Sequence, residues 1–276
     1  MLYDMTTDYK IYKVRREPGQ QQQPKHGHPY YEIFYLLNGD CTFFVDHNIY
    51  KLSKGDLVIV PVGEIHKSTF PTKGYSDRLV VCFREESLDW MKKLIGEDAV
   101  KESLKQGVIS IPDKRQEYVE GIIGKMIFEN EGQDALSPAF VQTELMELLL
   151  FIIRCQKYEQ TVVKELDVDH QLIQEVATYI YNNYEKKLSL DDMAKQFHIS
   201  RSYLSKKFKQ VTGFGFKEYI VNVRIKNACT LLLETNKSIT DIAFECGFND
   251  SNYFGDAFRN VKGVSPHKYR KSQETI

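Results

Sequence analysis

The stretch "HGHPYYEIF", residues 26–34, sets His26, His28 and Glu32 at even spacing. Side chains alternate between the two faces of an extended strand, so these three share a face, with Tyr30 and Phe34 beside them. His66, in "GDLVIVPVGEIHKS" (residues 55–68), would join them from another strand. Imidazole and carboxylate are donors that suit Zn, Fe, Mn or Ni. The competing chemistry is an effector pocket lined or braced by the histidines, in which the aromatic residues could stack on a sugar ring. Polar groups facing an apolar interior cost free energy unless partnered, which argues against a domain whose sole role is assembly.

The elements that must position these groups are short strands. From about residue 25 to residue 85 alternating apolar runs are punctuated by Asn38-Gly39, Asp46-His47-Asn48, Lys54-Gly55-Asp56 and Gly63-Glu64. Many short strands at regular spacing predict an antiparallel barrel or jelly roll. Two helices follow. "KRQEYVEGIIGKMIFENE" places Val119, Ile122, Ile123, Met126 and Ile127 on one face. "SPAFVQTELMELLLFIIRCQK" opens with Ser137 as cap and Pro138 at the first helical position. Its Leu145, Leu148, Leu149, Ile152 and Ile153 spread over much of the girth. Packing under the barrel accounts for part of that, and the remainder predicts a homodimer surface; the alternative is a wholly intramolecular helix pair. "QKYEQTVVKELDVD", residues 156–169, has no strong apolar period and reads as a linker.

Past the linker a unit occurs twice. "LSLDDMAKQFHISRSYLSKKFKQVTG" (residues 188–213) is matched by "KSITDIAFECGFNDSNYFGDAFRNVKG" (residues 237–263). Each copy begins with an amphipathic helix, Leu190, Met193, Ala194 and Phe197, then Ile239, Ile242, Ala243 and Cys246, preceded by a capping serine, Ser189 or Ser238. His198 and Gly247 break the stripes, and second helices follow on Leu204, Phe208, Val211 and on Phe254, Phe258, Val261. This is helix, turn, helix, twice. Outside the apolar edge the first copy exposes Arg201, Ser202, Ser205, Lys206 and Lys209, donors and positive charge that suit a helix in the DNA major groove. The second copy carries Ser251, Asn252, Gly255, Asp256 and Arg259 at those places. The helical stretch between the copies, residues 216–235, spans about 30 Å at 1.5 Å per residue, close to the ~34 Å of one turn of B-DNA. A rod of that length would hold two readers in successive major grooves. A solenoid is the bland alternative, and two repeats are too few for one.

"ISRSYLSKKFKQVTG", with Arg224, Ala228, Leu231 and Leu232, then Ile242-Ala243, Gly247-Phe248, Gly263, Ser265-Pro266 and Tyr269-Arg270, resembles the DNA-binding domain of AraC/XylS-type bacterial transcriptional regulators. The resemblance implies base-facing positions at Ser202, Ser205 and Lys206 in one copy and Asn252, Gly255 and Asp256 in the other. Gly215 departs from the Ser or Thr usual at that cap, and Asp256 from a basic or polar reader. The N-terminal stretches resemble the paired motifs of the cupin superfamily: His26-x-His28, Glu32 and Gly39, then Gly55, Pro61, Gly63 and His66, with Phe70 where the second motif often ends in Asn. In metal-binding cupins three His and one Glu hold a divalent ion, which implies His26, His28, Glu32 and His66 as ligands here; sensor domains of AraC/XylS type share the pattern, often without a metal.

The whole chain reads as an α+β multidomain protein: a cupin-like antiparallel barrel plus two helices over 1–158, a linker over 159–169, and an all-α domain with two helix-turn-helix motifs joined by a linker helix over 170–276. The 276 residues carry a formal net charge of −1, but from Asp169 onward 16 Lys and Arg stand against 12 Asp and Glu, leaving 21 against 26 before it. That asymmetry agrees with a DNA-facing C-terminal half. Cys41, Cys82, Cys155, Cys229 and Cys246 form no CxxC pair and are expected as reduced core thiols. No leader opens the chain and no apolar run approaches ~18 residues, so a cytoplasmic protein without membrane contact is expected. The function expected is a transcription regulator, with double-stranded DNA and a small-molecule effector held by His26, His28, Tyr30, Glu32, Phe34 and His66 as partners, a second copy as homodimer partner, and RNA polymerase if it activates. No catalytic constellation is needed. A cupin-type metalloenzyme fused to a DNA-binding tail is the alternative from another class, and stoichiometric metal with substrate turnover would favour it.

Overall fold

The computed structural model describes residues 8–18, 28–71, 73–105, 107–132, 134–158 and 164–271. Apart from the short His47–Ile49 segment, the chain divides between Leu166 and Asp167 into two compact units.

Among the described residues the first unit has eight strands: β1 (Tyr9–Arg16), β2 (Tyr31–Asn38), β3 (Cys41–Val45), β4 (Asn48–Leu52), β5 (Asp56–Val60), β6 (His66–Thr69), β7 (Ser76–Phe83) and β8 (Gly107–Ser110). They form a five-stranded sheet in the order β1-β7-β2-β5-β8 and a three-stranded sheet in the order β4-β3-β6. Pairings such as β2 with β5 and β3 with β6 are antiparallel. Strand alternation gives the larger sheet two apolar faces. Ile33, Tyr35, Leu57, Ile59, Val81 and Phe83 face the helices, whereas Phe34, Leu36, Val58, Val60, Val80 and Cys82 face Phe43, Val45 and Leu52 of the smaller sheet. Both outer strands of the larger sheet, β1 and β8, lie beyond the run that residues 25–85 suggested. An edge strand pairs on one side only and tolerates exposed charge, which is why "YKIYKVRR" of β1 hides its strand character.

Among the described residues four α-helices complete this unit: α1 (Asp89–Ile95), α2 (Glu97–Ser103), α3 (Asp113–Glu131) and α4 (Ser137–Tyr158). Ser137 is not the cap of α4. It lies inside the helix, and the carboxylate of Asp134 accepts from the amides of Leu136 and Ser137 at 2.7 and 2.9 Å. The homodimer surface assigned to α4 also needs correction, because Leu145, Leu148, Leu149 and Ile152 are fully buried in the core of their own unit and Ile153 packs against it. Helix α3 and the large sheet together cover more of the α4 circumference than an isolated helical wheel suggests.

The second unit is all helical: α5 (Val168–Asn182), α6 (Leu190–Gln196), α7 (Arg201–Thr212), α8 (Phe216–Glu234), α9 (Ile239–Glu245), α10 (Ser251–Lys262) and α11 (Pro266–Lys271). Helix α5 begins inside the stretch read as linker, since Asp167 caps it by accepting from the amide of His170 at 3.0 Å. Ser189 and Ser238 cap α6 and α9 as expected. The aspartate three residues on behaves differently from a capping-box glutamate: Asp192 and Asp241 each accept from the serine hydroxyl at 2.6 Å. Helices α7 and α10 are capped by Ser200 and Asp250. Gly215, lacking a side chain, leaves α8 with half a box, its own amide donating to Glu218 at 3.1 Å. All five cysteines are buried, and none forms a disulfide with another. Among the described residues no helix is long and apolar enough to cross a membrane.

Each turn between paired helices requires a left-handed residue, His198 at φ 55° in the first copy and Gly247 at φ 83° in the second. Only the second is forced to be glycine, for a Cβ at 247 would stand 2.6 Å from the Glu185 carbonyl oxygen. Gly247→Ala should therefore destabilise the protein by about 1–2 kcal/mol or more, read from its denaturation midpoint. An effect below about 0.5 kcal/mol would show that the turn relaxes freely.

Candidate nucleic-acid interface and buried polar cluster

Helix α7 buries Leu204, Phe208 and Val211 and turns Arg201, Ser202, Ser205, Lys206 and Lys209 to solvent. The five line one open groove with Leu190 and Gln210. Gln210 escaped the sequence reading, although it lies one helical turn beyond Lys206 and so continues the same row. Not every cation on α7 is available. Lys207 pairs with Asp169 at 2.5 Å, and Tyr203 donates to the same carboxylate at 2.5 Å. These two partners hold the Asp169 carboxyl below the ordinary carboxylate range. Arg201 stands 3.5 Å from Asp191.

Helix α10 presents Asn252, Asp256 and Arg259 to solvent, with Ser251 and Gly255 half-buried. Here the acid sits on its own cation: Arg259 Nη1 lies 3.3 Å from Asp256 Oδ1. Both reader motifs are braced alike from the helix that follows. Arg224 of α8 donates to the carbonyls of Tyr184 and Lys186, each at 2.8 Å, and Arg270 of α11 donates to those of Leu232 and Lys237 at 3.1 and 2.8 Å. Each guanidinium fork closes the turn that enters its motif.

In the first unit His28, Glu32 and His66 converge on the face between the two sheets, and their ligand-type atoms all lie within 4.8 Å of one another. His28 Nε2 is 3.0 Å and His66 Nε2 is 3.6 Å from Glu32 Oε2. His26 lies outside the described residues. Tyr30 stacks on His28 at 3.9 Å, Phe43 on His66 at 6.0 Å, and Phe34 is buried in the same apolar cluster. Strand β6 supplies His66, and its register opposite Val45 of β3 brings the ring to the shared interior.

The outer nitrogens bear on what the cluster can hold. His28 Nδ1 lies 2.9 Å from the Tyr30 carbonyl and His66 Nδ1 lies 3.0 Å from that of Glu64. A carbonyl can only accept, so each Nδ1 carries a proton and each Nε2 faces an anionic oxygen. That arrangement asks for a second proton on the ring or for a cation between the groups, and two imidazoles with a carboxylate are a fitting donor set for a divalent ion. Burial by itself would raise the Glu32 pKa, but the nearby charge of His66 and the hydrogen bond from His28 overrule it and hold the carboxyl well below its usual range. For His66 burial pulls down, and Glu32 more than reverses it, so its pKa is raised. Sequence reasoning missed two further buried charges in this interior, Arg16 and Arg78. Arg78 opens the apolar run of β7 and looks in the sequence like the solvent end of a strand.

A helix-turn-helix domain family matches residues 193–272, and a cupin domain family matches residues 12–81. The HTH-type transcriptional activator RhaR of Mannheimia succiniciproducens is 25% identical over 260 residues, covering 93% of this chain and 90% of that one. The Msm operon regulatory protein of Streptococcus mutans is 34% identical over 143 residues, 48% of this chain and 51% of that one. Among solved structures, the C-terminal domain of AraT, a response regulator from Geobacillus stearothermophilus, is 32% identical with a TM-score of 0.36, covering 37% of this chain and 84% of that one.

Proposed function

This chain belongs to the AraC/XylS family of DNA-binding transcriptional regulators, and from that premise we propose how its residues divide the work. Helix α7 enters one major groove with Ser202, Ser205, Lys206 and Gln210 toward the bases, flanked by Arg201 and Lys209 toward phosphates. Helix α10 enters the next groove with Asn252, Gly255, Asp256 and Arg259. The paired-sheet interior of the first unit takes the effector, against His28, Tyr30, Glu32, Phe34 and His66. The protein acts in the cytoplasm as a homodimer and, like the relatives named activators, engages RNA polymerase. The exposed Phe128, Phe140 and Leu150 of α3 and α4 are among the apolar residues left to the dimer contact once the interior of α4 is accounted for.

The observation that carries this reading is the outward cationic row of α7, set on the first of two helix-turn-helix motifs. Footprinting on DNA upstream of the protein's own gene tests the DNA half, with two protected major grooves per monomer expected. For the effector half, a metabolite at 100 times its dissociation constant should stabilise the protein by about 2.7 kcal/mol in a thermal-shift screen. Glu32→Gln should remove that gain. A full gain retained in the variant would move the effector away from this cluster.

A divalent ion on His28, Glu32 and His66 is the second reading, favoured by the direction of both Nε2 atoms. Such an ion would supply a positive charge able to hold an effector oxygen. Elemental analysis after purification without chelators separates the two readings. One ion per chain, lost in Glu32→Gln, establishes the ion, and its absence leaves the cluster to the effector.

A further inference from the structure

The interior between the two sheets holds a second charged feature that the histidine–glutamate cluster does not employ. Arg78, on β7 in line with the inward residues Val80 and Cys82, is 6% exposed. Its Cζ lies 5.2 Å from the ring centre of Phe70 and 5.9 Å from that of Phe34. Arg16, at the end of the neighbouring β1, is 8% exposed, and its Cζ lies 5.0 Å from the same Phe70 ring. Two guanidinium groups thus share one aromatic ring inside an apolar cluster.

Among the described residues no carbonyl or carboxylate accepts a hydrogen bond from Arg78, and no acid lies within ion-pair distance of it. A guanidinium carries five N–H donors in a planar fork, and burying it without acceptors is unfavourable. Aromatic faces offset part of that, but they accept no fork of hydrogen bonds. The two cations also repel each other at this range. Nearby acids are committed elsewhere. Glu32 is held by His28 and His66, and Asp56 accepts from the Ser53 amide and the Ser110 hydroxyl, both at 2.7 Å. The inner face therefore holds, beside an apolar ring, a forked donor at Arg78 that no acid of the described residues engages.

We infer that the effector is a small anion, a carboxylate or a phosphate ester, whose oxygens take the fork of Arg78 with Arg16 alongside while Phe70 packs against its carbon skeleton. The inference rests on the reading that this interior is the effector site, and it narrows that reading to a chemical class. Carboxylate and phosphate both match the planar fork in a bidentate manner, which an ammonium could not do.

The test is thermal unfolding of the full chain in potassium acetate and in potassium phosphate, each against potassium chloride at equal ionic strength. Wild type, Arg78→Met and Arg78→Lys are compared, because general salting effects act on all three alike. The wild type should gain a concentration-dependent upward shift with at least one of the two anions, and the responding anion tells carboxylate from phosphate. Arg78→Met should keep or raise the unfolding temperature in chloride, having lost a buried charge, and should lose the anion-specific shift. Arg78→Lys keeps the charge without the fork and should bind the responding anion at least tenfold more weakly; it carries the comparison if the methionine variant fails to fold. Equal shifts in wild type and variants, or no anion-specific shift in the wild type, overturn the inference. A set of neutral sugars is run in parallel: a shift from one of these, with none from the anions, leaves the effector site standing and removes only its anionic class.

Discussion

Glu32→Ala is expected to destabilise the protein by about 3–5 kcal/mol, the loss typical of removing one partner from a buried ionic cluster. Glu32 is 6% exposed, and among the described residues its carboxylate is the group that faces both His28 Nε2 and His66 Nε2. Without it, two imidazoles remain buried among Tyr30, Phe34 and Phe43 with their Nε2 atoms aimed at a cavity. Glu32→Gln keeps an acceptor at the same place and should lose less, about 1–2 kcal/mol. The signs of the two shifts predict where the gap is widest. Glu32 has a lowered pKa, so its contribution is present above the unfolded value of about 4.3 and vanishes as pH falls through the folded value. His66 has a raised pKa, so its contribution is complete below about 6.5 and vanishes as pH rises through the folded value. Urea titrations of chelator-treated wild type and variants should therefore separate most between about pH 4.3 and 6.5, and the gap should narrow as pH falls through the folded value of Glu32 or rises through that of His66. A loss under 1 kcal/mol, or a gap that widens steadily toward alkaline pH, contradicts the assignment.

Lys206→Ala should weaken operator binding by about 1–3 kcal/mol, roughly 5- to 150-fold in Kd. Lys206 is exposed in the middle of the α7 groove, one turn from Ser202 on one side and Gln210 on the other. Its neighbour Lys207 is tied to Asp169 and should matter far less to DNA. Asp256→Ala should leave affinity unchanged or raise it, since the acid repels phosphate and holds Arg259 at 3.3 Å, while preference at one base pair relaxes. Helix α8 has 19 residues, about 28 Å of rod, so the two half-sites should lie about 10 base pairs apart. Footprints and titrations of the two variants at one salt concentration decide the matter, because affinity for DNA falls steeply with salt. Protection of a single major groove per monomer, or a larger loss from Asp256→Ala than from Lys206→Ala, removes the proposed division between the readers.

The duplicated motif was legible from the sequence because its signals act over three or four residues. Ser189, Ser200, Ser238 and Asp250 cap the helices they precede, and the apolar stripes of α6, α7, α9 and α10 are the faces buried. The meeting of His28 with Glu32 was expected from strand alternation, yet β2 begins only at Tyr31, and a bend at residues 29 and 30 rather than one extended strand carries His28 to Glu32. Other features depended on which segments meet. Strand β1 pairs along its length with β7, sixty or more residues away, and only that register turns Arg16 and Arg78 into one interior. Packing against α3 and the sheet decided that the apolar girth of α4 is spent inside its own unit, and the approach of Glu185 decided that position 247 must be glycine where position 198 need not be. Caps and periodicity are set by covalent neighbours and so are written locally, whereas the environment of a buried charge or a crowded turn is made by residues distant in the chain, whose proximity exists only after the sheets and helices have closed on one another.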